Sequence, residues 1–270
     1  MKNYGQLDFC VLIPCYNNFE GLVVSVNTIS YSSDKFLVLV VDDGSREPVD
    51  ESMLRGKVPG NIPFVIIRNE KNRGITATLN SGLAWITENT DSRYIARLDC
   101  GDRCEPDRFV KQVMLMDQQP DIGLCGTWCK IIDKASSFHY SYTGPARHEE
   151  IVKAMYTRNV FMHATVMFRT SLLKTTGFYP TQFEYAEDYA FFWVFMNHSR
   201  TTIINEFLVT CELNKSGISY SNKGKQLFAR YRVIRTFGKS IALKFAAYMR
   251  LLLLFMLPRR VTLLLKKWKG

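Results

Sequence analysis

The chain has 270 residues, 47% of them hydrophobic and 22% charged, enough to bury the core of one large α/β domain with an appendage and short of two full domains. Its formal charge of +10 is confined to one end: beyond Tyr220 there are thirteen Lys and Arg and no Asp or Glu, leaving 22 basic against 25 acidic residues before it. That distribution disfavours nucleic acid as the partner, since no recognised nucleic-acid fold accompanies the charge, and leaves a membrane surface or an anionic substrate.

In chain order, Phe9-Cys10-Val11-Leu12-Ile13 predicts a first strand, ended by Pro14, and residues 19 to 31 predict a helix. Phe36 to Val41 is an uninterrupted apolar run of strand length, as a central strand covered on both faces requires, and Asp42 and Asp43 follow at its carboxyl end. Phe64 to Ile67 predicts a third strand, residues 75 to 88 a helix, and Tyr94 to Leu98 a fourth strand that finishes in Asp99 and Asp102. This alternation is that of a parallel sheet with crossover helices, whose ligands collect at the carboxyl ends of the strands. Each aspartate alone reads equally well as turn chemistry, but two acidic clusters at two strand ends favour a site. Glu187-Asp188 opens a helix running to about Asn197, where negative charge suits the helix dipole.

Residues 225 to 269 mix Phe, Leu, Met, Tyr and Trp with spaced Lys and Arg, and the longest charge-free apolar run there, Leu251 to Leu257, is far short of the ~20 residues that span a bilayer. The segment is expected to lie on an anionic membrane surface as basic amphipathic helices, split in two at Pro258. A pair of helices packed on the main domain with a solvated basic face is the other reading. Seven cysteines, with x3 rather than zinc-ribbon x2 spacing at Cys100/Cys104 and Cys125/Cys129 and mostly among apolar residues, predict buried free thiols. With no long apolar run after Met1, they suggest a reduced, cytosolic setting.

Val11-Leu12-Ile13-Pro14-Cys15-Tyr16-Asn17-Asn18, Val40-Val41-Asp42-Asp43-Gly44-Ser45, Asn72-x-Gly74-x-x-x-Thr78-x-Asn80-x-Gly82 and Ala96-Arg97-Leu98-Asp99 follow one another within about a hundred residues. Pro106-Asp107-Arg108-Phe109-x-x-Gln112, Ile122-Gly123-Leu124-Cys125-Gly126, His163-Ala164-Thr165-Val166-Met167-Phe168-Arg169 and Glu187-Asp188 come after them. Each fragment is weak alone, yet the ordered set, over residues 8 to 200, resembles the inverting family 2 glycosyltransferases.

The resemblance implies a GT-A fold of class α/β, a mostly parallel mixed sheet flanked by helices. Its domain would span residues 1–220, with a nucleotide-binding part near 8–104, an acceptor part near 105–220, and the helical tail at 221–270. It implies that Pro14, Tyr16 and Asn17 line the nucleotide pocket and that Asp42 binds the base with Asp43 close by; a carboxylate accepts from a uracil or thymine imide N–H, which makes UDP-sugars the favoured donors and dTDP-sugars the alternative. Arg73 and Arg97 are candidates for the diphosphate or the carboxylate cluster. Asp99-Cys100-Gly101-Asp102 departs from the family's Asp-x-Asp, glycine standing where the usual metal-binding aspartate is. Asp99 is the first candidate ligand for Mg²⁺ or Mn²⁺ and Asp102 a substitute one position on, with Arg73, Arg97 or His163 as metal-free sources of charge stabilisation. His163 reads as a core histidine, a metal ligand or a phosphate or acceptor contact. Asp188 would be the general base toward an acceptor hydroxyl, with Glu187 orienting the base or the acceptor. The expected acceptor is a lipid-linked or membrane-held glycan of bacterial surface polysaccharide (O-antigen, lipopolysaccharide), met by a peripheral protein on the cytoplasmic face of the inner membrane. A nucleotidyltransferase is set back by the lack of a glycine-rich, lysine-containing loop near the N-terminus. A non-catalytic nucleotide-sugar or membrane-binding module is kept open by Gly101.

Overall fold

The apolar runs of the N-terminal half become neighbouring strands of one sheet. The structure, a computed structural model, describes residues 4–133, 139–213 and 223–257. Strands β1 (Tyr4–Cys15), β2 (Phe36–Asp42), β3 (Phe64–Arg68) and β4 (Thr90–Arg97) pair in the order β3-β2-β1-β4, every contact parallel. Crossovers run through α1 (Phe19–Val26), α2 (Glu51–Arg55) and α3 (Ile75–Asn89). The second half extends the sheet with β5 (Arg103–Cys104), β6 (Ile122–Ile132), β7 (His139–Tyr142), β8 (Met167–Arg169) and β9 (Arg200–Glu212). Short β8 joins β4 to β6 by antiparallel pairing on both sides, and β9 lies parallel to β6.

Alternation along the strands sorts the core into two faces. Phe9, Val11, Ile13, Val38 and Val40 pack with Leu22 and Val26 of α1 and with Phe109, Val113 and Met116 of α4 (Arg108–Gln118). Cys10, Leu12, Leu39 and Val41 pack on the other face with Leu79, Leu83 and Ile86 of α3. There α3 comes so close that a Cβ at Gly82 would lie 2.3 Å from Leu12 Cδ1 and 3.0 Å from Val41 Cγ2, which is why this helix carries glycine at that position. On the same face, α7 (Glu187–His198) buries Tyr189, Phe191, Phe192, Trp193, Phe195 and Met196. A helix apolar all round must be covered on two sides. Its second cover is α8 (Lys223–Phe237), whose Ala229, Val233 and Ile234 join that core, as do Ala247 and Leu251 of α9 (Ile241–Met256).

Several boundaries move. Strand β1 continues through Pro14, which stands opposite Val41, and ends at Cys15. The first helix stops at Val26 rather than residue 31, because Asn27 turns its side-chain amide back onto Val23 O at 2.8 Å and across to Lys57 O at 3.0 Å. The tail breaks at Gly238-Lys239-Ser240: the Tyr156 hydroxyl accepts from the amides of Lys239 and Ser240 at 2.8 and 2.9 Å, and Ser240 caps α9 through Leu243 N. The break expected at Pro258 lies outside the described residues. The seven cysteines are free thiols, all buried except the half-buried Cys100.

Candidate active site

Because β1, β2 and β4 are parallel, Pro14 to Asn17, Asp42-Asp43 and Asp99 emerge at the same edge of the sheet, and chain order reverses between β1 and β4 there, where open α/β sheets bind ligands. The first two loops are laced together. Asn17, in the left-handed region at φ 49°, donates its amide to Ser45 Oγ at 2.9 Å and accepts from Arg46 N on its side-chain oxygen at 2.8 Å. Tyr16 leaves its ring about half exposed at this edge.

Asp42 is fully buried and accepts from the amides of Ser45 and Val49, with Arg68 Nε 3.6 Å away. Asp43 accepts from Asn69 Nδ2, Arg73 N and Gly74 N at 2.8 to 3.0 Å. The Asn-Arg-Gly segment is therefore held against the Asp-Asp loop through its backbone, while the Arg73 side chain remains exposed. Gly44 (φ 68°) is required because a Cβ there would lie 2.4 Å from the Lys71 carbonyl carbon. Asn80 makes a two-way clamp with the backbone of Tyr179, donating to its carbonyl and accepting from its amide at 2.9 Å each.

Arg97 is the hub. It is wholly buried, donates to the carbonyls of Leu12 and Leu98, and ion-pairs through Nη2 with Asp99, whose side chain is 41% exposed. Its Nε donates to His163 Nε2 at 3.3 Å, and that nitrogen also meets the Tyr179 hydroxyl at 2.8 Å. Burial, reinforced by the Arg97 charge, pulls the His163 pKa down to about 3, so the imidazole is a neutral acceptor. Beneath the hub, Arg108 and Gln112 of α4 are both fully buried; Arg108 donates to the Arg97 carbonyl, Gln112 to that of Thr165.

Asp102 does not stand beside Asp99 as a second exposed carboxylate. It is 7% exposed and accepts from Glu212 N at 2.9 Å, and burial, with the Asp99 charge, raises its pKa to about 7. Gly101, at φ 102°, has Glu212 Oε2 within 3.3 Å of the place a Cβ would occupy. A carboxylate from β9 thus meets the space that the missing aspartate side chain would enter. Among the described residues there is no cluster of three or more His, Cys, Asp or Glu placed to hold a metal.

Asp188 lies in the first turn of α7, preceded by Tyr185 in a left-handed conformation (φ 69°) that swings the chain into the helix. Its Oδ1 accepts from Tyr189 N at 2.6 Å and its Oδ2 from Asn159 Nδ2 at 3.0 Å. Burial raises its pKa to about 6, the Tyr189 amide opposing, the Asp99 charge adding and Arg230 on α8 subtracting. Glu187 is raised as well, by burial and then by the charge of Asp188. Asp99 at the end of β4 and Asp188 on α7 thus face one electrostatic environment, joined by Arg97, His163 and Tyr179. Asn159, Tyr179, Glu212 and Arg230 carry no short-range sequence signal for membership of this site; partnership across the fold reveals them. Surface depressions of about 340 Å³ by Ser92-Arg93-Tyr94 and about 580 Å³ by His148 and Arg200 lie elsewhere, the first at the starting end of β4.

The profile of Glycosyl transferase family 2 matches residues 10–177. The amylovoran biosynthesis glycosyltransferase AmsE of Erwinia amylovora is 31% identical over 188 residues, 67% of this chain and 66% of that protein, just under two thirds of its length. An uncharacterized glycosyltransferase of Methanocaldococcus jannaschii is 26% identical over 87% of this chain and 82% of its own. Among solved structures, S. aureus TarS 1–349 in complex with UDP-GlcNAc superposes with a TM-score of 0.68 at 17% identity, covering 91% of this chain and 72% of that one. The mannosyltransferase PcManGT of Pyrobaculum calidifontis, in complex with GDP-Man and Mn²⁺, does so at 0.63 and 16%, covering 90% and 69%. At these identities the structural likenesses establish the fold alone.

Proposed function

The chain belongs to glycosyl transferase family 2, and from that membership and the carboxylates that follow β4 and open α7 we propose an inverting transferase that moves a sugar from a nucleotide-diphosphate donor to a hydroxyl of a lipid-linked or membrane-held glycan. Being a glycosyltransferase removes the nucleotidyltransferase reading. The observation that carries the proposal is Asp188, a half-buried carboxylate at a helix start whose pKa of about 6 leaves it mostly ionised at neutral pH yet basic enough to accept a proton. As the acceptor oxygen attacks the anomeric carbon from the face opposite the nucleotide, Asp188 takes its proton, and single displacement inverts the centre. Asn159, donating to Oδ2, leaves Asp188 aimed; Glu187 orients the acceptor beside it.

On the donor side, Pro14, Tyr16 and Asn17 border the nucleotide, Tyr16 offering its exposed ring and Asp42 and Asp43 the carboxylates nearest the base, with UDP favoured and dTDP possible. Arg73, exposed, is the arginine available to the diphosphate, while Arg97, wholly buried, acts by holding Asp99 in place. His163, neutral, positions Arg97 and supplies no charge of its own.

The residues fit a divalent cation held chiefly by the diphosphate and water, with Asp99 as the protein carboxylate and Glu212 approaching in place of a side chain at 101. Such an ion, Mg²⁺ or Mn²⁺, would neutralise charge on the departing diphosphate; Asp102, buried and bonded to Glu212 N, shapes the turn instead.

No helix among the described residues is long and apolar enough to cross a membrane. On α9, Ile241, Phe245, Met249, Leu252 and Met256 are exposed at spacings of three and four, one stripe of the helix, and α8 and α9 carry many basic and no acidic residues. This supports a peripheral seat on the anionic, cytoplasmic face of the inner membrane, in surface-polysaccharide assembly. Thermal melts with a panel of nucleotide-diphosphate sugars, each with Mg²⁺, Mn²⁺ or chelator, test the proposal, since ligand at a hundred times its Kd adds about 2.7 kcal/mol. Stabilisation by one donor class is expected; none with any donor would overturn it.

A further inference from the structure

Helix α8 docks against α7 through Ala229, Val233 and Ile234, and its cations are placed for something else. Three of its five basic residues lie over aromatic rings that bracket Asp188. Lys225 Nζ is 5.4 Å from the centre of the Tyr185 ring and donates to that residue's hydroxyl at 3.4 Å. The Arg232 guanidinium is 5.5 Å from the Phe183 ring, and that of Arg230 is 5.7 Å from the Tyr189 ring. Arg230 also donates to the carbonyl of Thr157, just past α5 (His148–Met155), at 2.8 Å, two residues before the Asn159 that bonds Asp188.

The turn that carries these rings needs holding. Tyr185 is a bulky residue at φ 69°, in the left-handed region such side chains avoid, and it stands three residues before Asp188. A backbone of that kind persists only where its surroundings fix it. Ala186 N donates to Phe183 O at 2.9 Å, closing the turn, and the Phe237 ring of α8 packs 5.5 Å from that of Phe183. A cation over a ring face is attracted by the ring's quadrupole, so each of the three contacts resists displacement of its ring. A seat on an anionic membrane needs only positive charge toward the lipid, and docking of α8 needs only its apolar face. Neither demand puts cations over residues 183, 185 and 189.

We propose that Lys225, Arg230 and Arg232 are positioning residues for the transfer: by clasping the rings of Tyr185, Tyr189 and Phe183 they fix the turn into α7 and with it the aim of Asp188. This rests on reading Asp188 as the base. The charge of Arg230 has a second effect. Among the groups that act on Asp188, Glu187 and Asp99 are acidic, Tyr142 and Tyr179 are phenols, and Arg230 is the cation that favours the ionised carboxylate.

The test compares full-length K225Q/R232Q and R230Q with wild type in hydrolysis of the UDP-sugar that most raises the melting temperature, read as UDP release. Lys225 and Arg232 are exposed, so their replacement leaves the apolar contact of α8 in place. In both variants kcat is expected to fall about ten- to a hundredfold, the effect of a slightly misplaced catalytic group, while KM and the calorimetric Kd of UDP stay within about twofold. K225R/R232K, which keeps a cation over each ring, should hold kcat within about threefold of wild type. In R230Q the rise of kcat/KM with pH should move above the wild-type midpoint of about 6. Deuterium exchange at the amides of residues 183–189 needs no substrate and should quicken several-fold in K225Q/R232Q, with α3 unchanged. Wild-type kcat in both glutamine variants, unchanged exchange at 183–189, or an equal loss in K225R/R232K each overturns the proposal. D188N run alongside separates the two readings: wild-type turnover there removes the base assignment and this inference with it, whereas an inactive D188N beside fully active glutamine variants removes the role of α8 alone.

Discussion

Replacing Asp188 with Asn separates chemistry from folding. The carboxylate accepts two hydrogen bonds, from Tyr189 N and Asn159 Nδ2. An amide keeps the first through its oxygen but turns an NH₂ toward Asn159, whose own oxygen already accepts from Phe161 N at 3.2 Å. One hydrogen bond is lost, about 1 kcal/mol. Against this, ionised Asp188 is disfavoured in the fold: its pKa is about 6 instead of the ordinary 3.8, so at pH 8 the charge costs at most about 3 kcal/mol relative to the unfolded chain. The second effect outweighs the first by up to about 2 kcal/mol, and D188N should melt at the wild-type temperature or several degrees above it. Turnover should fall by about 10²- to 10⁴-fold, the usual worth of a positioned base. The assay is release of nucleoside diphosphate with the donor that stabilises the protein, alongside calorimetric titration of that donor, whose affinity should hold. Turnover within about tenfold of wild type, or donor binding lost in parallel with turnover, would refute the assignment. The pH profile gives a second check: only ionised Asp188 is a base, so wild-type kcat/KM should rise with pH through about 6 and level above it.

D99A should weaken nucleotide-diphosphate binding more with Mn²⁺ than in chelator, read by calorimetry; an identical loss in both would dismiss the cation. Asp102 holds a proton in the fold that it releases in the unfolded chain between the ordinary 3.8 and about 7, so its contribution is complete below 3.8 and is lost as pH rises through 7. D102N should therefore gain about 2–3 kcal/mol over wild type between about pH 5 and pH 8 in urea titrations, and a pH-independent difference would show that Asp102 ionises normally. G82V should cost about 1–3 kcal/mol by driving α3 off β1 and β2, visible as a lower urea midpoint at unchanged slope. Serines at Phe245, Met249 and Leu252 should release the protein from anionic vesicles in flotation, whereas continued flotation would remove α9 as the contact face.

Much of the donor half was legible in the sequence because its signals are local. An uninterrupted apolar run such as Phe36 to Val41 has few options besides a buried parallel strand, and the acidic residues after it then sit at the strand's carboxyl end. The helix start at Glu187 and the positive-φ glycine at 74 answer to similarly local demands, whereas the glycines at 44 and 82 answer to close approach by Lys71 and by Leu12 and Val41 from elsewhere in the chain. Helix stops were less legible: Asn27 ends α1 through a carbonyl thirty residues away, and Tyr156 breaks the tail from across the fold. The site's supporting residues were the least legible, since Asn80 acts on Tyr179, Gln112 on Thr165 and Asn159 on Asp188 through contacts between distant segments.

What the sequence by itself determined is the four parallel strands of the first half, the helices of residues 75–88 and 187–197, the edge of the sheet where the acidic loops emerge, and the concentration of charge in the tail, all consequences of periodicity and composition. Only the tertiary structure decided that Asp102 turns inward while Glu212 comes to Gly101, that His163 is a neutral partner of Arg97, and that α8 lays Arg230 beside Asp188. The physical reason is that charge state and ligand access depend on burial and on the nearest charges, and those neighbours are supplied by strands and helices a hundred residues apart in the chain.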